Sequence, residues 1–208
     1  MTTIYLIRHC ETQGNKKRLF QGHIDMPISA EGESQLQRLA ERFRDIALDR
    51  IYSSPLGRAM RTAQAVDRYH GLDITVDERL IEINVGVWEG KPWNELMQTD
   101  PEHCDVWSWR PWLFEPEKGE PMRSVFDRMS RAITDIAAAN AGKRIAVVSH
   151  GCAIRNAICF AKGWPIERLG EIGWIDNTGY CQLDFDGEAI RITGEPSLED
   201  DWWPEETR

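Results

Sequence analysis

Ile4-Tyr5-Leu6-Ile7, closed at once by Arg8-His9-Cys10-Glu11-Thr12, is the stretch on which the fold turns. Four β-prone apolar residues in a row read as a short buried strand that ends in charge. Far along the chain the pattern recurs: Ile145-Ala146-Val147-Val148 is all apolar, runs into Ser149-His150-Gly151, and is followed by a helical period. In open parallel sheets ligands bind beyond the carboxyl ends of the strands, so His9 and His150 both stand where chemistry is usually done. The helix that starts at Gly151 adds backbone N–H groups to which an anion can bind. Either histidine alone would be an ordinary strand-end side chain satisfied by a backbone carbonyl. Two of them, with Arg8 beside one, predict a shared site across adjacent strand ends.

Around these runs, strands alternate with helices. Residues 8–27 are polar and follow neither period. Ser29 suits an N-cap, after which Leu36, Leu39, Ala40, Phe43 and Ile46 fall at helical spacing and bury one face. Residues 50–53 read as a second strand, 57–69 as a helix burying Ala59, Ala63 and Val66, and 72–76 as a third strand. From about residue 80 to 120 no clean period shows, and this Trp- and Pro-rich stretch is expected to be an irregular insert. Pro121 suits a helix first turn. Behind it Val125, Phe126, Met129, Ala132, Ile133 and Ile136 mark the most amphipathic helix, ended by Gly142. Residues 180–185 and 188–192, joined by Asp186-Gly187, predict a hairpin. The acidic tail with Trp202-Trp203-Pro204 is expected to be loosely ordered. The alternation predicts an α/β fold of three layers, α/β/α, around a mostly parallel sheet. With no repeat, low-complexity tract or linker, residues 1–208 are expected to form a single domain.

The 208 residues are 41% hydrophobic and 28% charged, which suits one soluble globular unit with a sizeable core. A formal net charge of −9 argues against nucleic acid or an anionic membrane surface as partner. It also requires any anionic substrate to meet a locally positive pocket. Cysteines at 10, 104, 152, 159 and 181 make an odd set without paired spacing, which reads as reduced thiols. The N-terminal apolar run is too short for a signal peptide, and no stretch approaches the roughly 20 apolar residues of a membrane span. Cytoplasm is the expected location, with no membrane partner. The oligomeric state is not set by the pattern, and a homodimer is compatible with it.

Four motifs occur in order: Arg8-His9-x-Glu11-Thr12, Ser53-Ser54-Pro55-Leu56-x-Arg58-Ala59-x-Arg61-Thr62-Ala63, Glu82 followed by Gly86-Val87-Trp88-Glu89-Gly90, and Ser149-His150-Gly151. With Asp176-Asn177-Thr178 ahead of the hairpin, they resemble the histidine phosphatase superfamily, in the branch that includes cofactor-dependent phosphoglycerate mutase. The resemblance runs from about residue 3 to 187. It implies a phosphoglycerate mutase-like fold and a phosphomonoester hydrolase acting on small molecules. His9 is then the nucleophile that becomes phosphorylated, Arg8, Arg58 and His150 bind the phosphoryl oxygens, and Glu82 protonates the leaving group. Asn15 and Gln21 fall where family members contact the phosphoryl group or the substrate.

Phosphoryl transfer asks mainly for in-line positioning and for positive charge around the equatorial oxygens. Arg8 and Arg58 supply planar, permanently charged forks and disfavour a protonated His9. With those cations present no metal or other cofactor is expected, and His23, His70 and His103 show no ligand spacing. Nor does a P-loop or dinucleotide fingerprint follow any strand. One position departs from the family, which usually carries Gly where Cys10 stands. Either the backbone there needs a positive φ, at a cost for Cys, or Cys10 tucks beneath the loop; a redox role is a minor alternative. Glu11 is expected to be structural. Trp107, Trp109 and Trp112, with Arg110 among them, either pack the insert onto the domain or rim the site. Three functions stay in view. A small-molecule phosphatase is favoured by the short chain, since the mutases carry a longer insert after the acid. The others are mutase-type transfer to an organic acceptor and non-catalytic binding of a phospholigand.

Overall fold

A computed structural model describes residues 1–194. The first apolar run becomes β1 (Thr2–Arg8) and the second β4 (Arg144–Ser149), paired in parallel with Ile4 opposite Ile145 and Arg8 opposite Ser149. Successive side chains on a strand point to opposite faces. Ile4, Leu6, Ile145 and Val147 accordingly join one core, while Tyr5, Ile7, Ala146 and Val148 join another. Both faces are covered, so neither run carries a polar stripe. β2 (Arg50–Ser53) lies beyond β4, and β3 (Ile74–Val76) beyond β2, both parallel. On the other flank of β1, β5 (Tyr180–Phe185) and β6 (Ile190–Gly194) add an antiparallel hairpin, giving the order β3-β2-β4-β1-β5-β6.

Within residues 8–27, a single turn α1 (Gln13–Lys16) is closed by a capping box between Thr12 and Asn15. α2 (Ala30–Phe43), whose N-cap Ser29 accepts from the Gly32 N–H, and α3 (Gly57–Asp67) cover one face with Leu39, Phe43, Ala59, Ala63 and Val66. α6 (Met122–Ala139) and α7 (Gly151–Ala161) cover the other. The result is the expected three-layer α/β/α arrangement. Among the described residues no helix is long and apolar enough to cross a membrane.

Some expectations need correction. Residues 80–120 are irregular only in part: α4 (Trp93–Thr99) and α5 (Pro101–Trp109) follow one another, flanked by 3-10 turns at Gly86–Trp88 and Pro111–Leu113. Helices this short show too few turns for a period to emerge. They are held by aromatic packing among Phe20, Trp88, Trp107 and Phe114, whose contacting ring centroids lie 4.8 to 6.1 Å apart. The third strand starts at Ile74, and Pro121 is the N-cap residue of α6 rather than its first turn. The hairpin's return strand starts at Ile190, because the Asp186 carboxylate accepts from the Glu188 and Ala189 N–H groups and widens the turn. The tail containing Trp202-Trp203-Pro204 lies outside the described residues.

Candidate active site

The register of β1 on β4 creates the site. Arg8 lies opposite Ser149, so His9 and His150 leave neighbouring strand ends together, with ring centroids 5.1 Å apart. The His9 N–H donates to the Ser149 carbonyl at 3.0 Å, and the His9 carbonyl accepts from Asn177 Nδ2 at 2.8 Å. Thr178, at φ +59°, aims its N–H at the carbonyls of Arg8 (3.1 Å) and His9 (3.3 Å). A β-branched residue in the left-handed region is strained. The Asp176-Asn177-Thr178 turn thus spends local strain on fixing the His9 main chain.

His9 Nδ1 sits 2.7 Å from the Cys10 carbonyl oxygen, which cannot donate, so Nδ1 carries the proton and Nε2 the lone pair. Burial, then the charges of Arg58 and Arg8, hold the ring well below the ordinary imidazole pKa. Burial is the larger cause, ahead of the guanidinium groups invoked from the sequence. His150 is fully buried, and its Nε2 lies 2.6 Å from Ser54 Oγ. Its pKa is likewise held well below the ordinary value, by burial first and then by Arg58 and His9.

Arg8 and Arg58 are both buried. Arg8 Nη1 donates to the Ile175 carbonyl. Arg58 Nη2 donates to the Gly22 carbonyl at 2.7 Å, and its Nη1 to the Ile24 carbonyl at 2.9 Å and Asp25 Oδ1 at 3.4 Å. The fork expected to clasp phosphate instead grips the loop of residues 22–25. Arg58 Nε and His150 Nδ1 are buried with no hydrogen-bond partner among the described residues. Buried polar atoms without partners are costly, and both residues lie in the surroundings of His9.

Arg8, His9, Asn15, Gln21, Arg58, Glu82 and Gly151 line one pocket. His150 stands behind its wall, against His9. Thr12 donates its N–H to Asn15 Oδ1 at 3.0 Å and its hydroxyl to Gln21 Oε1 at 2.8 Å, turning both amide oxygens toward the protein. The Glu82 carboxylate accepts from the N–H groups of Ile83 (3.0 Å), Ala153 (3.0 Å) and Cys152 (3.2 Å). It thereby caps α7, whose own N-cap residue His150 contributes no side-chain cap. Two of the backbone N–H groups expected to serve an anion are taken by this carboxylate, and Gly151 remains on the pocket wall. A Cβ at Gly151 would lie 3.1 Å from the Trp174 ring, so glycine there lets Trp174 settle on the helix.

Cys10 is fully buried, its φ is not positive, and burial pushes its thiol pKa up. The replacement of glycine therefore costs no backbone strain, Cys10 tucks beneath the loop, and the low-pKa thiol needed for redox chemistry is not there. Glu11 is structural: its carboxylate accepts from the Ser29 hydroxyl at the start of α2. Of the three tryptophans singled out, Trp107 alone reaches the pocket. Trp109 is 60% exposed, Trp112 packs against the core, and Arg110 pairs with Asp105 on the surface. Sequence reading missed Trp174, which lines the pocket and stacks on Trp107 with centroids 6.2 Å apart. No periodic signal marks it. Ser54, by contrast, stands inside a quoted motif.

The family profile described as "Histidine phosphatase superfamily (branch 1)" matches residues 4–195. A relative from Escherichia coli, named "Probable phosphoglycerate mutase GpmB", is 31% identical, covering 88% of this chain and 99% of its own. The solved structure of Bacillus stearothermophilus YhfR superposes with a TM-score of 0.90 at 33% identity, covering 96% of this chain and 98% of that one. The alpha-ribazole phosphatase from Shigella flexneri superposes at 0.83 with 27% identity, covering 96% and 99%. Motif order, sheet topology and site geometry agree with these matches: the chain belongs to branch 1 of the histidine phosphatase superfamily, as a phosphomonoester hydrolase.

Proposed function

We propose that His9 is the nucleophile of a two-step hydrolysis of small phosphomonoesters. The observation that carries this reading is the tautomer of His9, whose Nδ1–H is tied to the Cys10 carbonyl while its Nε2 keeps a lone pair among buried cations. In the first step an Nε2–P bond forms, the ester P–O bond breaks, and the departing alkoxide takes a proton from the Glu82 carboxyl group. In the second, water attacks phosphorus, the P–Nε2 bond breaks, and the proton of the water returns to Glu82 as orthophosphate leaves. Glu82 Oε2, with one long N–H contact against two shorter ones at Oε1, is the oxygen suited to carry that proton. Arg8, Arg58 Nε and His150 Nδ1 balance charge on the equatorial oxygens. In this reading the Ser54 hydroxyl, 2.6 Å from His150 Nε2, is the donor, which leaves the ring hydrogen on Nδ1 for the phosphoryl oxygens. The NH2 groups of Asn15 and Gln21, and Gly151, complete the substrate contacts.

The alcohol part meets a different wall, made of Leu19, Phe20, Ile83, Val85, Trp107 and Trp174. Beyond Arg8 and Arg58 no further lysine or arginine lines the pocket among the described residues. A phosphoglycerate held for mutase transfer would bring a carboxylate with nothing cationic left to receive it. This favours water as acceptor and an uncharged, apolar alcohol. The reading includes independence of metal, a single domain and a cytoplasmic location. The test is phosphate release from phenyl phosphate in excess chelator, beside isomerisation of 3-phosphoglycerate. Phosphate release without isomerisation is expected; isomerisation without release would make the protein a mutase.

A further inference from the structure

Glu82 sits on a loop, yet the main chain leading to it is held with unusual completeness. The carbonyl of Arg79 accepts from Arg128 Nη1 at 2.8 Å, and that of Ile81 from the same nitrogen at 2.6 Å. The intervening carbonyl, Leu80, accepts from Ser149 Oγ at 2.7 Å. The carbonyl of Glu82 itself lies 2.9 Å from His23 Nε2, which must be the donor, since a carbonyl cannot give a proton. Four successive carbonyls are thus each held by a side chain from another part of the fold.

The three holders are not arbitrary. Ser149 directly precedes His150. His23 stands between Gly22 and Ile24, the two carbonyls gripped by Arg58. Arg128, on α6, is paired through Nε and Nη2 with both carboxylate oxygens of Glu120 at 2.7 and 2.9 Å, while the Glu120 N–H donates to the Asn84 carbonyl at 2.8 Å. The arginine's charge is therefore met locally, and its remaining nitrogen serves geometry. Two holders fix the acid's loop to the strand and the loop that carry the phosphoryl site, and the third fixes it to the helix behind.

We infer that Arg128, assisted by His23, is a positioning residue that sets the distance between the Glu82 carboxyl group and the leaving-group oxygen. This rests on the proposed role of Glu82 as proton donor. Proton transfer in the transition state is sensitive to placement, and a displacement near 1 Å costs on the order of 100-fold. Esters whose alcohols leave readily need little protonation, whereas alkyl esters need it fully. A positioning fault at the acid must therefore depend on the leaving group, while a general loss of structure must not.

The experiment measures kcat/KM, which reports phosphoryl transfer to His9, for 4-nitrophenyl phosphate and an alkyl phosphate. Arg128→Lys keeps the charge, but its single nitrogen cannot hold both Glu120 oxygens and the two carbonyls at once, and His23→Gln alters an independent holder. For Arg128→Lys the loss should be about 10- to 100-fold on the alkyl ester and under about 3-fold on the aryl ester. His23→Gln should show the same asymmetry at smaller size. Equal losses on both esters, or no loss on either in both variants, would overturn the inference. Glu82→Gln is measured alongside. If it shows the asymmetry and the two variants do not, the positioning claim alone fails; if Glu82→Gln lacks it, the donor assignment fails and the positioning claim goes with it.

Discussion

The two walls of the pocket are built on different principles. The phosphoryl side is made by backbone register: β1 and β4 pair residue for residue, and their next residues, His9 and His150, have no choice but to meet. The alcohol side is made by side-chain packing, with Trp107 from α5 stacked on Trp174 from a loop 67 positions later in the chain. Arg155 on α7 holds that loop from beneath, donating to the carbonyls of Ile172 (2.8 Å) and Leu169 (3.1 Å) and lying 4.3 Å from the Trp174 ring centre. A ladder of main-chain hydrogen bonds cannot slip without turning every strand side chain to the wrong face. A stacked pair of rings is free to be replaced without disturbing the sheet. On the proposed reading, chemistry sits on the part that cannot vary, and selectivity on the part that can.

This contrast is open to attack at several strengths. Arg58→Lys removes the Nε donor and the grip on residues 22–25, and should lower kcat/KM on the order of 100-fold for every ester alike. If only some esters suffered, the separation between the walls would break. The next effect is on stability. His9 and His150 are buried and neutral, with folded pKa values well below 6.5. As pH falls below about 6.5 the unfolded chain takes up protons that the folded one does not, so stability falls on the acid side and is unaffected above it. Each ring contributes at most about 1.4 kcal/mol per pH unit. Urea unfolding at pH 7.5 and 5.5 measures it, and the His150→Asn variant should show a shallower decline.

Trp174→Leu should be milder: KM for phenyl phosphate rises about 10-fold while kcat with glycerol phosphate changes little, since one apolar contact is worth about 1–3 kcal/mol. Comparing the two substrates in steady state tests it, and an equal fall in kcat for both would place Trp174 in the chemistry. Smallest of all is Cys10→Ala. With its thiol outside the pocket and its φ unstrained, kcat/KM should stay within about 3-fold of the parent, as volume-reducing changes act mainly on stability.

The same contrast explains what could be read in advance. Both histidines, Arg8, Arg58 and Glu82 stand at strand ends or in motifs that occur in order along the chain, and the alternation of strands with helices already implies the three layers. The helices at residues 93–109 were not legible, because seven and nine residues held by aromatic contacts on several sides leave no periodic stripe. Trp174 was hidden for a related reason, since its neighbours Trp107, Gly151 and Arg155 are distant in sequence. Nor could the sequence reveal that Arg58 holds carbonyls with both terminal nitrogens, or that Glu82 caps α7. Those depend on where loops close, which no local pattern records.

The central claim is that phosphorus is carried on Nε2 of His9. Brief exposure to a phosphomonoester labelled with radioactive phosphorus, a quench in base and trypsin digestion would isolate the 9–16 peptide between Arg8 and Lys16. Acid-labile, base-stable label on that peptide, lost in His9→Ala together with turnover on the order of 10⁴-fold or more, is the predicted result. Label on any other peptide, or steady phosphate release by His9→Ala at an undiminished rate, would contradict the account.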